Sequence, residues 1–197
     1  MNSMINTGII TERKIMKNNT KSIAMIGMFT AIISVLSIIT IPMPTGVPVT
    51  LQTFAIALCG CVLGYKMGTI STIVYILLGT VGVPVFAGMH GGASWVVSYS
   101  GGFIWGFIFM TLLCGIGIKQ KNIVLRYVFC ILGLAACHVL GVIQYAVIAH
   151  VSLLTSFLAV SVPFMIKDVI SVVAAYLVSI PIRKALSSAN ILTAQSV

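Results

Sequence analysis

Apolar residues in this chain come in long unbroken runs, without the strict alternation of a half-buried strand. Polar and turn-forming residues gather between the runs. The pattern predicts six helices, at about residues 22–41, 49–64, 68–83, 103–118, 127–148 and 163–182. Each comes near the roughly 20 residues a helix needs to cross a bilayer, whereas a membrane barrel would show alternating segments of about ten. Between the first two runs, Pro42, Pro44 and Pro48 stand too close together for a helix, and Tyr65-Lys66 leaves room only for a tight turn. Residues 149–162 read as a polar-flecked loop. The longest connection, 82–102, holds six glycines, His90, Trp95 and Tyr99 and no formal charge. It is either a structured loop whose backbone can approach a ligand or a plain connector with interfacial anchors.

Composition turns these runs into membrane spans. The chain is 59% hydrophobic and 7% charged, against about a quarter charged in soluble domains. The expected fold class is an all-α integral membrane protein, a bundle of six transmembrane helices. Ten of the eleven lysines and arginines fall in alternate connections. They are Arg13, Lys14, Lys17 and Lys21, then Lys66, then Lys119, Lys121 and Arg126, then Arg183 and Lys184. The three opposite connections hold none. Basic residues collect on the cytoplasmic side, so both termini are expected inside, with the proline loop, the 82–102 loop and 149–162 outside. The net charge of +9 then reflects orientation and attraction to anionic lipid heads, and nucleic-acid binding is an unnecessary reading. Residues 1–21 read as a basic, disordered cytoplasmic tail, 22–184 as the membrane domain and 185–197 as a second cytoplasmic tail. The first run is too long for a signal-peptide core and no cleavage site follows it.

The eleventh basic residue, Lys167, adjoins Asp168, the one acidic residue outside the N-terminal tail. Asp168 is expected about five residues into the sixth helix, facing the bundle interior, because an ionisable group there is costly anywhere else. Asp168, Ser171, Ala175 and Ser179 share one helical stripe. Adjacent helical residues point about 100° apart, so a direct Lys167–Asp168 bond is not expected, and Lys167 can instead snorkel to the surface. Gln52 and Thr53, Ser98 to Gly102, and Gln144 and Tyr145 are expected at the same level, closing a small outward cavity. His90 is the histidine placed to touch a ligand, while His138, with no carboxylate expected at its depth, reads as hydrogen-bonded to another helix in preference to a proton relay. Cys59, Cys61, Cys114, Cys130 and Cys137 all fall inside spans and read as small packing residues, with no metal site. No phosphate-binding loop, H-E-x-x-H or G-x-S-x-G is present, so catalysis is not expected. Ala24, Gly27 and Ala31 make a flat stripe on the first helix, suited to packing within the bundle or against a partner.

Several runs of residues resemble the BioY family, the biotin-binding substrate components of energy-coupling-factor transporters. They are Pro48-Val49-Thr50-Leu51-Gln52-Thr53, Leu63-Gly64-Tyr65-Lys66-Met67-Gly68, Gly82-Val83-Pro84-Val85-Phe86-Ala87-Gly88 with Gly91-Gly92, Ser100-Gly101-Gly102-Phe103 with Gly106-Phe107, and Pro163-Phe164 with Asp168. The similarity covers about residues 22–184 and is densest over 48–107. It implies a six-helix bundle that captures vitamin outside, while a membrane coupling protein and two ABC-type ATPases supply the energy. The ligand set it suggests is Asp168 as acceptor of the ureido N–H groups, with Gln52, Phe86, His90, Gly91, Trp95, Tyr99, Ser100, Tyr145, Lys167 and Ser171 around it. It also assigns the Ala24, Gly27, Ala31 stripe to docking on the coupling protein. Two positions depart from the family pattern: Ser171 stands where a lysine is expected three residues after the aspartate, and Ser98-Tyr99-Ser100 where Gly-Pro-Thr/Ser is expected. Lys167 or His90 can take the missing role, or the ligand is a related vitamin or small carboxylate. An intramembrane enzyme and a scaffold are the readings from other classes.

Overall fold

The computed structural model describes residues 2–189 and 191, with side chains from Thr20 onward. It contains helices α1 (Asn2–Ile38), α2 (Gln52–Thr80), α3 (Ala93–Val96), α4 (Gly101–Gly117), α5 (Ile123–Ala149), α6 (Leu153–Val160) and α7 (Val162–Ser188), and two-residue strands β1 (Thr40–Ile41) and β2 (Val49–Thr50). Among the described residues, four segments are long and apolar enough to cross a membrane: Thr20–Ile38, Gln52–Thr80, Ile123–Ala149 and Val162–Ser188. Helix α4 is equally apolar but shorter. The basic segment expected to be irregular lies within α1, where no proline interrupts the backbone ladder before Ile38. Residues 192–197 of the second expected tail lie outside the described residues.

Two expected spans, 49–64 and 68–83, form the one element α2, which turns at Gly64. That residue has φ 76° and ψ 179°, a region essentially closed to side-chain-bearing residues. The consequence is visible in distances. Gln52 Nε2 donates to Tyr75 Oη at 2.6 Å, although in a straight helix the two would stand about 35 Å apart at 1.5 Å per residue. Cys59 Sγ meets the Gly68 carbonyl at 3.6 Å. Helix α2 is therefore a helical hairpin with antiparallel arms, and α4 closes against its bend: a Cβ on Gly115 would collide with the Tyr65 backbone.

Helix α1 packs on this hairpin through Met25, Phe29, Thr30, Ile33 and Ser37, which lie on one helical face and are buried. Thr30 Oγ1 donates across to the Ser71 carbonyl at 3.1 Å. The proline-rich stretch is pinned by β1 and β2, paired antiparallel with Thr40 opposite Thr50. The sequence reading had instead put Thr40 and Ile41 at the end of the first helix and Val49 and Thr50 at the start of the second.

The segment expected as a loop at 149–162 is helix α6. Ser152 caps it by accepting the Thr155 N–H at 3.1 Å, and Leu153, Leu154, Phe157 and Leu158 supply its apolar surface. Ser156 Oγ donates to the Val142 carbonyl at 2.8 Å, and Ser161 Oγ lies 2.9 Å from His138 Nδ1. As the chain advances from Ser156 to Ser161, its partner on α5 retreats from Val142 to His138. Helix α6 thus runs back along α5, and α7 begins level with the middle of α5. The stripe expected on α7 is buried at Asp168, Ser171, Ala175 and Ser179.

Candidate functional site

Where α2, α4, α5 and α7 converge beneath the β1–β2 hairpin and the 82–102 loop, they enclose a cavity. Its polar wall comprises Thr50, Gln52, Thr53, Ser100, His138, Lys167 and Asp168; its apolar wall includes Pro48, Phe86, Trp95, Phe103, Phe107, Leu134 and Phe164. A second, shallower cavity opens beside it, sharing Pro48, Ala87 and Trp95 and adding Thr40, Met43 and His90.

Asp168 is the chemical centre. Its residue is 5% exposed. One carboxylate oxygen, Oδ2, lies 3.3 Å from His138 Nε2, and the other, Oδ1, lies 2.5 Å from Lys167 Nζ. The Lys167 ammonium therefore caps Oδ1 directly, as a close ion pair. Lys167 Nζ also donates to the Thr50 carbonyl at 2.9 Å. This pair overturns the expectation that Lys167 turns away to the surface. The two Cα–Cβ directions diverge, but the four-carbon lysine stem folds back, because the β2 carbonyl holds its ammonium on the aspartate side.

His138 also departs from expectation, since it meets the carboxylate that was not expected at its depth. The start of α7 lies deeper than a loop at 149–162 would have put it, and this brings Asp168 level with mid-α5. A neutral imidazole with its proton on Nε2 satisfies both contacts, donating toward Asp168 and accepting from the Ser161 hydroxyl. Serine, histidine and aspartate are thereby brought into one line. The line does not form a working nucleophile: Ser161 is 0% exposed, and the acid is already ion-paired to Lys167. The arrangement suits binding of a small ligand with N–H donors and an apolar body.

The 82–102 loop is ordered by backbone bonds. Phe86 N–H donates to the His90 carbonyl at 2.9 Å and Gly92 N–H to the Gly79 carbonyl at 2.7 Å. Phe86 seats edge-on against Tyr75, with ring centroids 5.6 Å apart. It lies so close to α2 that a Cβ on Gly79 would overlap its ring. His90 stacks on Trp95 at 4.4 Å and 18°. Gln144 Nε2 donates to the Val96 and Ser98 carbonyls at 3.1 and 2.9 Å, fixing the far end of the loop to α5.

Of the residues singled out from sequence, Asp168, Lys167, Gln52, Phe86, Trp95 and Ser100 line the main cavity. His90 lines the adjoining one. Tyr99 is 42% exposed and packs on Tyr145 at 5.4 Å, so this pair forms a rim. Gly91 fits against the backbone of Gly82 and Val83, and Ser171 is buried on α7 without lining the cavity. The sequence reading left Phe103, Phe107, Leu134, Cys137, His138 and Phe164 out of the ligand set, although all six line the cavity. The signal for them was spacing: Phe103 and Phe107 are one turn apart on α4, as are Leu134 and His138 on α5.

Among the cysteines, Cys61, Cys114 and Cys130 come together, with sulphurs within 4.8 Å of one another. All three are buried, as packing residues are expected to be, and they also contact one another. Their separation along the chain concealed them, since only the packing of α2, α4 and α5 joins them. Ala24, Gly27 and Ala31 face outward on α1, opposite its buried face, and Gly27 has nothing within 4 Å of its Cβ position.

The BioY family profile matches residues 10–188. The chain is 36% identical over 159 residues to the biotin transporter BioY of Thermotoga maritima, covering 80% of this chain and 93% of that one. It is 32% identical over 159 residues to the probable biotin transporter BioY of Pyrococcus horikoshii, covering 81% and 94%. A crystal structure of the S-component for biotin from an ECF-type ABC transporter superposes with a TM-score of 0.78 and 28% identity, covering 85% of this chain and 93% of that chain.

Proposed function

The chain belongs to the BioY family, and on that premise we propose that it binds biotin and admits it to the cell as the substrate-specific component of an ECF-type ABC transporter. The observation that carries this reading is the buried Asp168 carboxylate, held by Lys167 and His138 at the wall of an aromatic-lined cavity, where a carboxylate oxygen can accept a further bond. Biotin presents two ureido N–H groups to such an acceptor, and charge-assisted bonds of this kind contribute about 1.5–3 kcal/mol each. The thioether ring rests among Phe86, Trp95 and Phe103, with Gln52 and Ser100 on the polar side. The valerate extends toward the adjoining cavity, where His90 stands on Trp95. Lys167 supplies at the aspartate the ammonium expected at position 171, and Ser171, Gly91, Tyr99 and Tyr145 support the walls and rim. A different vitamin-like carboxylate remains the competing ligand, and Ser171 is the residue that favours it.

The chain is a multi-pass protein of a prokaryotic cell membrane. With α1, the two arms of α2, α4, α5 and α7 as spans, it crosses six times. The antiparallel arms of α2 support that count, and the distribution of lysine and arginine supports placing both termini in the cytoplasm. Residues 1–21 and 185–197 are the cytoplasmic ends of a membrane domain spanning 22–184. The chain itself is not an enzyme. ATP hydrolysis resides on two separate ATPases, linked through a transmembrane coupling protein that docks on Ala24, Gly27 and Ala31. The exposure of that stripe on α1 supports the assignment.

Uptake of labelled biotin by a biotin-auxotrophic host carrying a coupling module tests the function. Expression of this chain is expected to raise uptake, and unchanged uptake would count against the assignment. Gly27→Leu is expected to keep biotin binding while losing uptake and co-purification with the coupling protein, because its open side carries no bundle contact. Retained uptake in that variant would remove α1 as the docking face.

A further inference from the structure

We infer that Cys61, Cys114 and Cys130 form a binding site for one soft, thiophilic d10 cation, with Cu(I) the best match. The first arm of α2, the inner half of α4 and the first turns of α5 each contribute one sulphur. The three residues are buried at 0%, 0% and 1% exposure. Small residues bring the helices together here. A Cβ on Gly60 would stand 2.9 Å from Cys114 Cβ, and one on Gly133 would stand 3.0 Å from the Met110 carbonyl oxygen.

The spacing is close to that of a metal–thiolate centre. With metal–sulphur bonds of about 2.3 Å, three sulphurs around a planar trigonal ion lie about 4.0 Å apart. Cys61 and Cys130 already stand 3.9 Å apart, and all three sulphurs fall within 4.8 Å of one another, so closure needs less than about 1 Å of movement. Thiolate ligands select soft ions. Structural zinc sites almost always have four ligands, and among the described residues no fourth cysteine, histidine or carboxylate joins the group. Three sulphurs without a fourth donor suit a monovalent d10 ion. Each coordinating thiol gives up its proton as the ion enters.

The charge around the group agrees. Three thiolates and one monovalent cation leave excess negative charge, and Arg183 lies beside them. Its Nη1 donates to the Cys61 and Val62 carbonyls at 3.0 and 3.2 Å, while its Nη2 is buried without an acceptor. None of the three cysteines lines the ligand cavity, so the site is separate from biotin recognition. A bound ion there would clamp α2, α4 and α5 together.

The test is anaerobic titration of the purified full-length chain in detergent with Cu(I), in competition with the chelator bathocuproine disulfonate. One Cu(I) per chain is expected, with X-ray absorption showing three sulphurs and no nitrogen. Cys114→Ser and Cys130→Ser are each expected to lower affinity by at least about 100-fold, the upper range for loss of an outer-shell partner. Cys59→Ser, outside the group, is expected to leave it unchanged. Failure of the wild-type chain to hold Cu(I) against the chelator, or a coordination sphere with fewer than three sulphurs, overturns the site, and neither result depends on a variant folding. Equal retention by wild type and by correctly eluting Cys114→Ser and Cys130→Ser overturns it as well.

Discussion

Replacing Asp168 with asparagine is expected to weaken biotin binding by at least about 100-fold, from the loss of roughly 3 kcal/mol of charge-assisted hydrogen bonding. The side chains are nearly the same size, so the cavity keeps its shape, but the change removes the charge and turns one of two accepting oxygens into an N–H donor, among Lys167, His138 and biotin, which all donate. Donor then faces donor across a buried contact. Lys167 retains its bond to the Thr50 carbonyl, so the variant is expected to elute from detergent purification as the wild type does. Calorimetric titration of the two proteins checks this. Undiminished affinity in the asparagine variant would remove Asp168 from the ligand site.

The second large effect lies in the fold. Gly64→Val is expected to sharply reduce the yield of folded protein and to lower the thermal midpoint of what remains. The residue adopts φ 76° and ψ 179°, where a side chain costs about 1–3 kcal/mol, and β-branching adds to that cost. The bend also has no room to relax, since Gly115 of α4 packs directly on Tyr65. Gly27→Leu supplies the contrast, because Gly27 meets nothing within 4 Å. Fluorescence-detected size exclusion across a temperature ramp should place Gly27→Leu with the wild type and Gly64→Val well below both. A wild-type profile for Gly64→Val would contradict the hairpin at that residue.

The long apolar helices were legible because each is a continuous apolar run, and the turn in α2 was placed beside Gly64 by Tyr65 and Lys66 alone. The carboxylate site was legible for a related reason: a single aspartate inside a membrane helix has few tolerable positions. Its partners were harder to read. Ser152, Thr155, Ser156 and Ser161 made residues 149–162 look like a surface loop, although the serines are a cap and two tethers of α6 to α5. Missing α6 misplaced the start of α7, and that error in depth separated His138 from Asp168. Lys167 was misread because helical direction was applied to a side chain with four rotatable bonds. The cysteine trio depends on packing among three helices, and no local pattern records it.

The proposed function places biotin in the Asp168 cavity. Calorimetric titration of the purified wild-type chain with biotin, set beside lipoate, dethiobiotin and other vitamins, tests this most directly. Saturable binding of one biotin per chain, tighter than any other compound in the set, is the expected result. Binding of another vitamin in preference to biotin, or no saturable binding of biotin at all, would contradict it.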